Sequence, residues 1–339
     1  MKKFLLLLSI LPSFGEEPVT RLACGSCYKP ERDNGIFKVI SADKPQAFLF
    51  MGDNIYADTS DPKVMKEKYR LLNIQPDYAA FSKSVLILPI WDDHDYGLND
   101  AGREFEMKET SAKLFYEAFN FPAEHEVRKT PGVYHSRIMG PEGKRLQIIM
   151  LDTRYFRSPL VKVKEGKRKV YVPQTGPEAT ILGEAQWKWL TSELKKPAEL
   201  RIIVSSIQII NNKHRFEKWA NMPDERKKFL ELLRTSKSGP TILLSGDRHL
   251  GEVCQISHHF SRLPFELYEM TTSGMTHAGG PDDPSLQRVP GTYTRAINYG
   301  LIDIDWTNKK PSATLSVKNL QGKAESLTFA DFNQQLTAK

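Results

Sequence analysis

Short apolar runs that end abruptly in polar clusters recur along this chain. The clearest is Ala47–Met51, after which Gly52 breaks the run and Asp53, Asn54, Tyr56 and Asp58 follow within a few positions. A continuous apolar run of this length, bounded by a breaker, predicts a strand buried on both faces. The same pattern predicts strands at residues 19–24, 85–90, 145–151, 201–204 and 241–244. Between them, apolar positions at helical spacing predict helices over 31–41, 62–72, 78–83, 103–119, 179–194 and 224–234. Residues 133–139 and 145–151 read as a hairpin joined by Pro141-Glu142-Gly143. After position 250 the pattern turns to strands, at 252–257, 265–272, 299–306 and 312–317. Alternation of strand and helix, closed by antiparallel strands, predicts an α/β fold with two mixed sheets flanked by helices. No internal repeat, low-complexity tract or linker divides it, so residues 16–339 read as one catalytic domain.

Composition narrows this little. The chain has 339 residues, 40% hydrophobic and 26% charged, which is ordinary for a globular protein. The net charge of +7 suits an anionic substrate. The densest basic stretch, 162–169, lacks interleaved aromatics and reads as a solvated loop, so no nucleic-acid module is expected. The N-terminus changes the picture more. Lys2 and Lys3 precede an apolar run, and Ser13-Phe14-Gly15 gives a small-x-small cleavage pattern. Residues 1–15 therefore read as a signal peptide, too short to span a membrane, and a secreted or periplasmic chain is expected. Three cysteines, Cys24, Cys27 and Cys254, leave one thiol over in an exported protein.

The polar clusters carry the candidate chemistry. Each follows a predicted strand: Cys27; Asp53 with Tyr56; Asp92, Asp93 and His94; Asp152 with Arg154; Gln208; Asp247 with His249. Ligands gather at the carboxyl ends of strands in open α/β sheets, so these clusters predict one site at one sheet edge. Carboxylate, imidazole, phenol and thiol together are metal-ligating groups, and the mixture argues against magnesium alone. Carboxylates can bridge two ions that activate water and clamp a phosphoryl group. Asp247 and His249 would share one face of an extended segment.

The motifs G-S-C (25–27), G-D-N-I-Y-A-D (52–58), W-D-D-H-D-Y-G-L-N-D (91–100), L-D-T-R-Y-F-R (151–157), S-G-D-R-H (245–249), T-T-S-G-M-T-H (271–277) and N-Y-G (298–300) resemble, in order, the alkaline phosphatase D family of calcineurin-like metallophosphoesterases. The resemblance implies a four-layer α/β/β/α sandwich and a secreted enzyme that hydrolyses phosphate esters with iron and calcium, other divalent metals being possible. It implies metal ligands at Cys27, Asp53, Tyr56, Asp93, Asp247 and His249, with Asp53 bridging and a Tyr56 phenolate favouring ferric iron. It places His94 where the superfamily has its histidine that assists phosphoryl transfer, with a metal-bound hydroxide as nucleophile. Gln208 stands where the superfamily usually has a ligand histidine.

Plainer readings remain beside these. Cys27 can pair with Cys24, Tyr56 can be a packed ring, and Asp53 can cap the segment after it. Arg154 and Arg157 can hold substrate phosphate, or Arg154 can pair with Asp152. Asp92 and Asp95 suit supporting or capping roles, His277 and Asn298 suit the pocket wall, and His258-His259 suits an exposed loop. Monoesterase, diesterase or phospholipase activity, and a non-catalytic metal-stabilised binding protein, are alternatives on the same site. A serine esterase is disfavoured, because position 54 is Asn54 and no G-x-S-x-G occurs.

Overall fold

The structure is a computed structural model that describes residues 17–333 except positions 167 and 237. The signal-peptide expectation lies outside the described residues. The first half contains β1 (Arg21–Gly25), α1 (Ile36–Ala42), β2 (Ala47–Met51), α2 (Pro62–Ile74), α3 (Pro76–Phe81), β3 (Leu86–Ile90), α4 (Asp93–Tyr96), α5 (Lys108–Ala118), β4 (His135–Met139) and β5 (Leu146–Leu151). A hairpin of β6 (Lys162–Glu165) and β7 (Arg168–Tyr171) leads to α6 (Gly183–Glu193), β8 (Leu200–Ser205), α7 (Pro223–Thr235) and β9 (Thr241–Ser245). The chain ends with β10 (Gly251–Ile256), α8 (His258–Ser261), β11 (Leu267–Thr272), β12 (Asn298–Asp305), β13 (Ser312–Asn319) and β14 (Ala324–Asp331).

Two six-stranded sheets result, ordered β14-β13-β12-β1-β2-β3 and β10-β11-β9-β8-β5-β4. In the first, β1, β2 and β3 are parallel, with β12 antiparallel to β1. In the second, β5, β8, β9 and β11 are parallel, with β4 and β10 antiparallel at the edges. The parallel strands are apolar throughout because both faces are covered, as in β2, where all five residues are buried. Helix α1 packs on the first sheet, with Phe37 edge-on to Phe48 and beside Tyr78 and Phe81 of α3. On the far side, Trp187 of α6 meets Trp219, which packs on Phe229 of α7. One continuous apolar core joins both sheets, so the layers are α/β/β/α.

Register sets up the site. Gly25 pairs with Phe50 and Met51 with Ile90, so β1, β2 and β3 end level. Leu151 pairs with Ser205, Val204 with Leu244 and Ser245 with Thr271, so the second sheet ends level too. Every predicted polar cluster therefore sits at one rim.

Some elements differ from expectation. The 31–41 helix begins only at Ile36, because Gly35 takes φ 77° after a short turn at Pro30–Arg32. The 103–119 helix begins at Lys108: the Arg103 amide donates to the Arg157 carbonyl at 2.7 Å, and the Phe105 and Lys108 amides close separate turns onto the Gly102 and Phe105 carbonyls at 3.0 Å and 3.4 Å. The basic stretch 162–169 lies in the hairpin rather than a loop, fastened where the Tyr171 amide donates to the Arg215 carbonyl at 3.1 Å. Strand β14 was not expected; its outward Leu327 and Phe329 are exposed, which masks the alternation.

Candidate metal centre

Turns from both sheets are pressed together at the rim. The Tyr28 amide after β1 donates to the Asp53 carbonyl after β2 at 2.9 Å. Gly52 takes φ 94°, and a Cβ there would lie 2.6 Å from that of Asp92 after β3. A Cβ on Gly246 after β9 would lie 2.5 Å from Ser26 Oγ, so a second glycine lets the other sheet's turn close in. Buried Asp95 fastens the β2 and β3 turns, accepting from the amides of Asp53 at 3.2 Å, Asn54 at 3.3 Å and Asp92 at 2.6 Å. Burial pushes its carboxyl up to about 7 despite these donors.

The backbone is strained where the chemistry lies. Cys27, Asp53, Asp247 and His249 have φ of 60°, 51°, 65° and 54°, a region that non-glycine residues rarely occupy. The expected extended geometry of Asp247-x-His249 is thus corrected: β9 stops at Ser245, and a left-handed turn brings both residues inward.

The side chains form linked clusters. Cys27, Asp53 and His249 offer donor atoms within 4.8 Å of one another; so do Asp53, Asp93 and His94, and so do Asp53, Asp92, Asp93 and Asp247. Asp53 belongs to all of them. Its Oδ2 accepts from Cys27 Sγ at 3.4 Å and from Tyr56 Oη at 3.2 Å, and Tyr56 Oη also lies 3.2 Å from His249 Nε2. The Tyr56 ring stacks on His94 at 4.1 Å, and His94 Nδ1 bonds to Asp58 Oδ1 at 2.6 Å. His277 lies 4.4 Å from His249, ring to ring.

Burial pushes the Cys27 thiol, the Tyr56 phenol and the Asp53 and Asp247 carboxyls well above their ordinary ranges, and the neighbouring acids push the same way. Burial acts likewise on Asp93, but His94, Arg154 and the Asp100 amide hold it at about 2. Burial lowers His94, yet Asp93, Asp53 and Asp58 outweigh it and raise it to about 11. Burial and the neighbouring His94 hold His249 down at about 4, so its ring is neutral and free to ligate at neutral pH. Buried acids crowded this closely disfavour one another's charge, and a multivalent cation relieves that cost. Thiol, phenol, imidazole and carboxylates together fit one ion of softer and one of harder character.

The remaining candidates fall outside this cluster. Arg154 is corrected: it is fully buried, with Nε 2.5 Å from Asp92 Oδ1 and Nη1 2.5 Å from Glu217 Oε2, so it faces the protein and not a substrate. Asp152 meets it only through the Arg154 amide, at 2.8 Å. Arg157 is likewise sealed, 2.8 Å from Glu217. Gln208 is buried and turned to Glu252 at 2.6 Å and Thr271 at 2.8 Å. Asn298 Nδ2 donates to the Ala296 carbonyl at 2.8 Å, and Asn298 packs against Gly274. His258 is tied to Glu266 at 2.6 Å. All three cysteines are buried free thiols. Two contributors were missed. Asp58 stands inside the quoted 52–58 motif, so its signal was present; Glu217 is a lone acid in a loop, with no signal of its own.

Comparison with known proteins agrees with this fold. No characterised protein sequence matches the chain. Among solved structures, PhoD superposes with a TM-score of 0.65 at 14% identity, covering 95% of this chain and 73% of that one. A purple acid phosphatase, PPD1, from yellow lupin (Lupinus luteus) seeds gives 0.64 at 12% identity, covering 93% and 54%. A dimetal phosphatase from Danio rerio gives 0.58 at 11% identity, covering 94% and 100%. At such identities the likeness is one of fold. The sequence itself matches the PhoD-like phosphatase family over residues 21–310, and the chain belongs to that family.

Proposed function

We propose that this protein is a metal-dependent hydrolase of phosphate esters, whose Cys27, Asp53, Tyr56, Asp93, Asp247 and His249 would hold two ions, iron and calcium. The observation that carries the reading is that Asp53 belongs to every cluster of candidate ligands at the rim. Cys27, Tyr56 and His249 would hold an ion on one side, where thiolate and phenolate favour ferric iron. Asp93 and Asp247 would hold one on the other, where oxygen ligands suit calcium. The bound ions would supply Lewis-acid polarisation of the phosphoryl oxygens and lower the pKa of water to roughly 7.

The chain's own residues do the rest. Asp53 positions both halves of the site through its two carboxylate oxygens. Asp58 accepts from His94 Nδ1, which fixes the ring over Tyr56 and leaves Nε2 to give a proton to the leaving oxygen. Asp92 and Asp95 hold the turns, and Arg154 neutralises Asp92 from beneath. We propose, with the leader read at residues 1–15, that the enzyme acts outside the cytoplasm.

The test is release of nitrophenol from nitrophenyl phosphate and from bis(nitrophenyl) phosphate, each with calcium and with chelator. Chelator-sensitive release is expected, and the preferred ester assigns monoesterase or diesterase. No release from either ester by protein with verified bound metal would leave a metal-stabilised binding protein.

A further inference from the structure

Apart from the metal centre, the described residues form several concavities, one of them a cleft of about 740 Å³. The loop before α7, one face of α7 and the turn after α8 form it. Its wall is cationic: Lys213 and Lys218 stand on the loop, Arg226, Lys227 and Arg234 on α7, and Arg262 just past α8. The lining carries one carboxylate, Glu231, and that is already paired with Arg234. Cations gathered round a concavity repel one another and focus a positive field into it. Helix α7 packs inward through Phe229 and Leu233, and Arg226 also serves the fold, its Nε and Nη2 donating to the Ile209 and Ile210 carbonyls at 2.6 Å and 3.3 Å.

His214 also lines this cleft. It is 2% exposed, and neither ring nitrogen has a hydrogen-bond partner. A buried polar ring without a partner in the protein is uncommon and points to one from outside. Lys218 beside it is 6% exposed, with Nζ bonded to the Phe216 carbonyl at 3.0 Å.

The spacing of the charges sets the size of the ligand. Arg226 and Arg234 lie on the same helix, about 12 Å apart along its axis at about 1.5 Å per residue and wider than one phosphate group, with Arg226 fixed by the Ile209 and Ile210 carbonyls and Arg234 by Glu231. Apolar surface lies between and opposite them: Leu230 is one turn from each, and Phe260 is 88% exposed. We propose that this cleft is a second binding site, separate from the metal centre, for an anion whose phosphate-class groups are held apart by an apolar spacer.

Two sources share that chemistry. One is a free anion; the other is the remote phosphate of a larger ester whose scissile group lies at the metal centre. The second source rests on the phosphoesterase reading. One loop touches both sites. Glu217 on it pairs with Arg154 and Arg157 beneath the centre, and its Phe216 ring lies 4.3 Å under the guanidinium of Arg248, between Asp247 and His249.

The test is calorimetric titration of the metal-loaded protein with hexamethylene bisphosphonate, with methylphosphonate as the single-charge control. The double variant Lys213→Glu with Arg262→Glu changes two exposed residues at the mouth. Its affinity for the bisphosphonate should fall about tenfold or more, while turnover of nitrophenyl phosphate stays within about twofold. An Asp53→Asn protein with native circular dichroism should still bind the bisphosphonate. Unchanged affinity in the double variant, or loss of binding in that natively folded Asp53→Asn protein, would overturn the proposal. Hydrolysis of hexamethylene bisphosphate separates the sources: a fall of about tenfold in kcat/KM in the double variant assigns a substrate phosphate, and an unchanged value assigns a free anion. Absence of all esterase activity would defeat the enzymatic reading and leave the binding result to stand.

Discussion

Strand β2 and the turn that follows it are continuous in sequence and opposite in physics. Phe48 and Phe50 sit in a nest of rings, 5.6 Å and 6.1 Å from Phe37, and both are wholly buried. Three residues beyond Phe50, Asp53 is just as buried, yet its backbone is left-handed and its neighbours are acids and a thiol. The first region stabilises the fold; the second is held in place by it. What makes the difference tolerable is the level register of the parallel strands, which fixes the turns whether or not their side chains attract one another.

This contrast can be broken from either side. Asp53→Asn should reduce ester hydrolysis to background if, as proposed, one carboxylate would serve both ion positions. In chelated protein its melting temperature should hold or rise, since a buried acid crowded by others is gone. Turnover near normal would refute the shared-ligand account. His94→Gln should lower kcat by about 10²–10⁴-fold with metal content retained, as expected of a lost proton donor. Phe48→Ala acts on the other region and should cost about 3–5 kcal/mol of stability by urea unfolding, while the folded fraction keeps its kcat. A loss of kcat without loss of stability would show that the two regions are not separable.

The smallest effect is one of pH. His135 of β4 is buried with Nε2 2.9 Å from the Pro89 carbonyl of β3, and burial lowers its pKa from 6.5 to about 4. Between those values the unfolded chain binds a proton that the fold refuses. Stability therefore falls as pH drops from about 6.5 towards 4, by at most about 1.4 kcal/mol per unit. In chelated protein, urea midpoints at neutral and acid pH should differ less in His135→Gln than in wild type.

The legible features were those written locally. β2 appears at its predicted limits because an apolar run between breakers has one solution in a sheet buried on both faces. Cys27, Asp53, Tyr56, Asp93, His94, Asp247 and His249 could be named as candidates because each follows a strand, and parallel strands in register deliver their ends to one rim. Arg154 was misplaced for the opposite reason. Its partners Asp92 and Glu217 lie 62 and 63 residues away, and nothing local says whether an arginine beside a site faces the substrate or an internal acid. The hairpin 162–171 and β14 were missed because β6 is exposed along its length and β14 turns Leu327 and Phe329 to water, so neither shows the pattern of a strand with an apolar buried face.

The sequence by itself therefore determined the parallel strands and the family, and it nominated the candidate donor atoms. Those depend on residue type and on spacing over a few positions. Only the tertiary structure decided that Asp53 is common to every ligand cluster, that Gln208 turns to Glu252 and not to the centre, and that six cations line one cleft far along the chain. These are facts of through-space distance, set when two sheets pack face to face, and no local pattern encodes them.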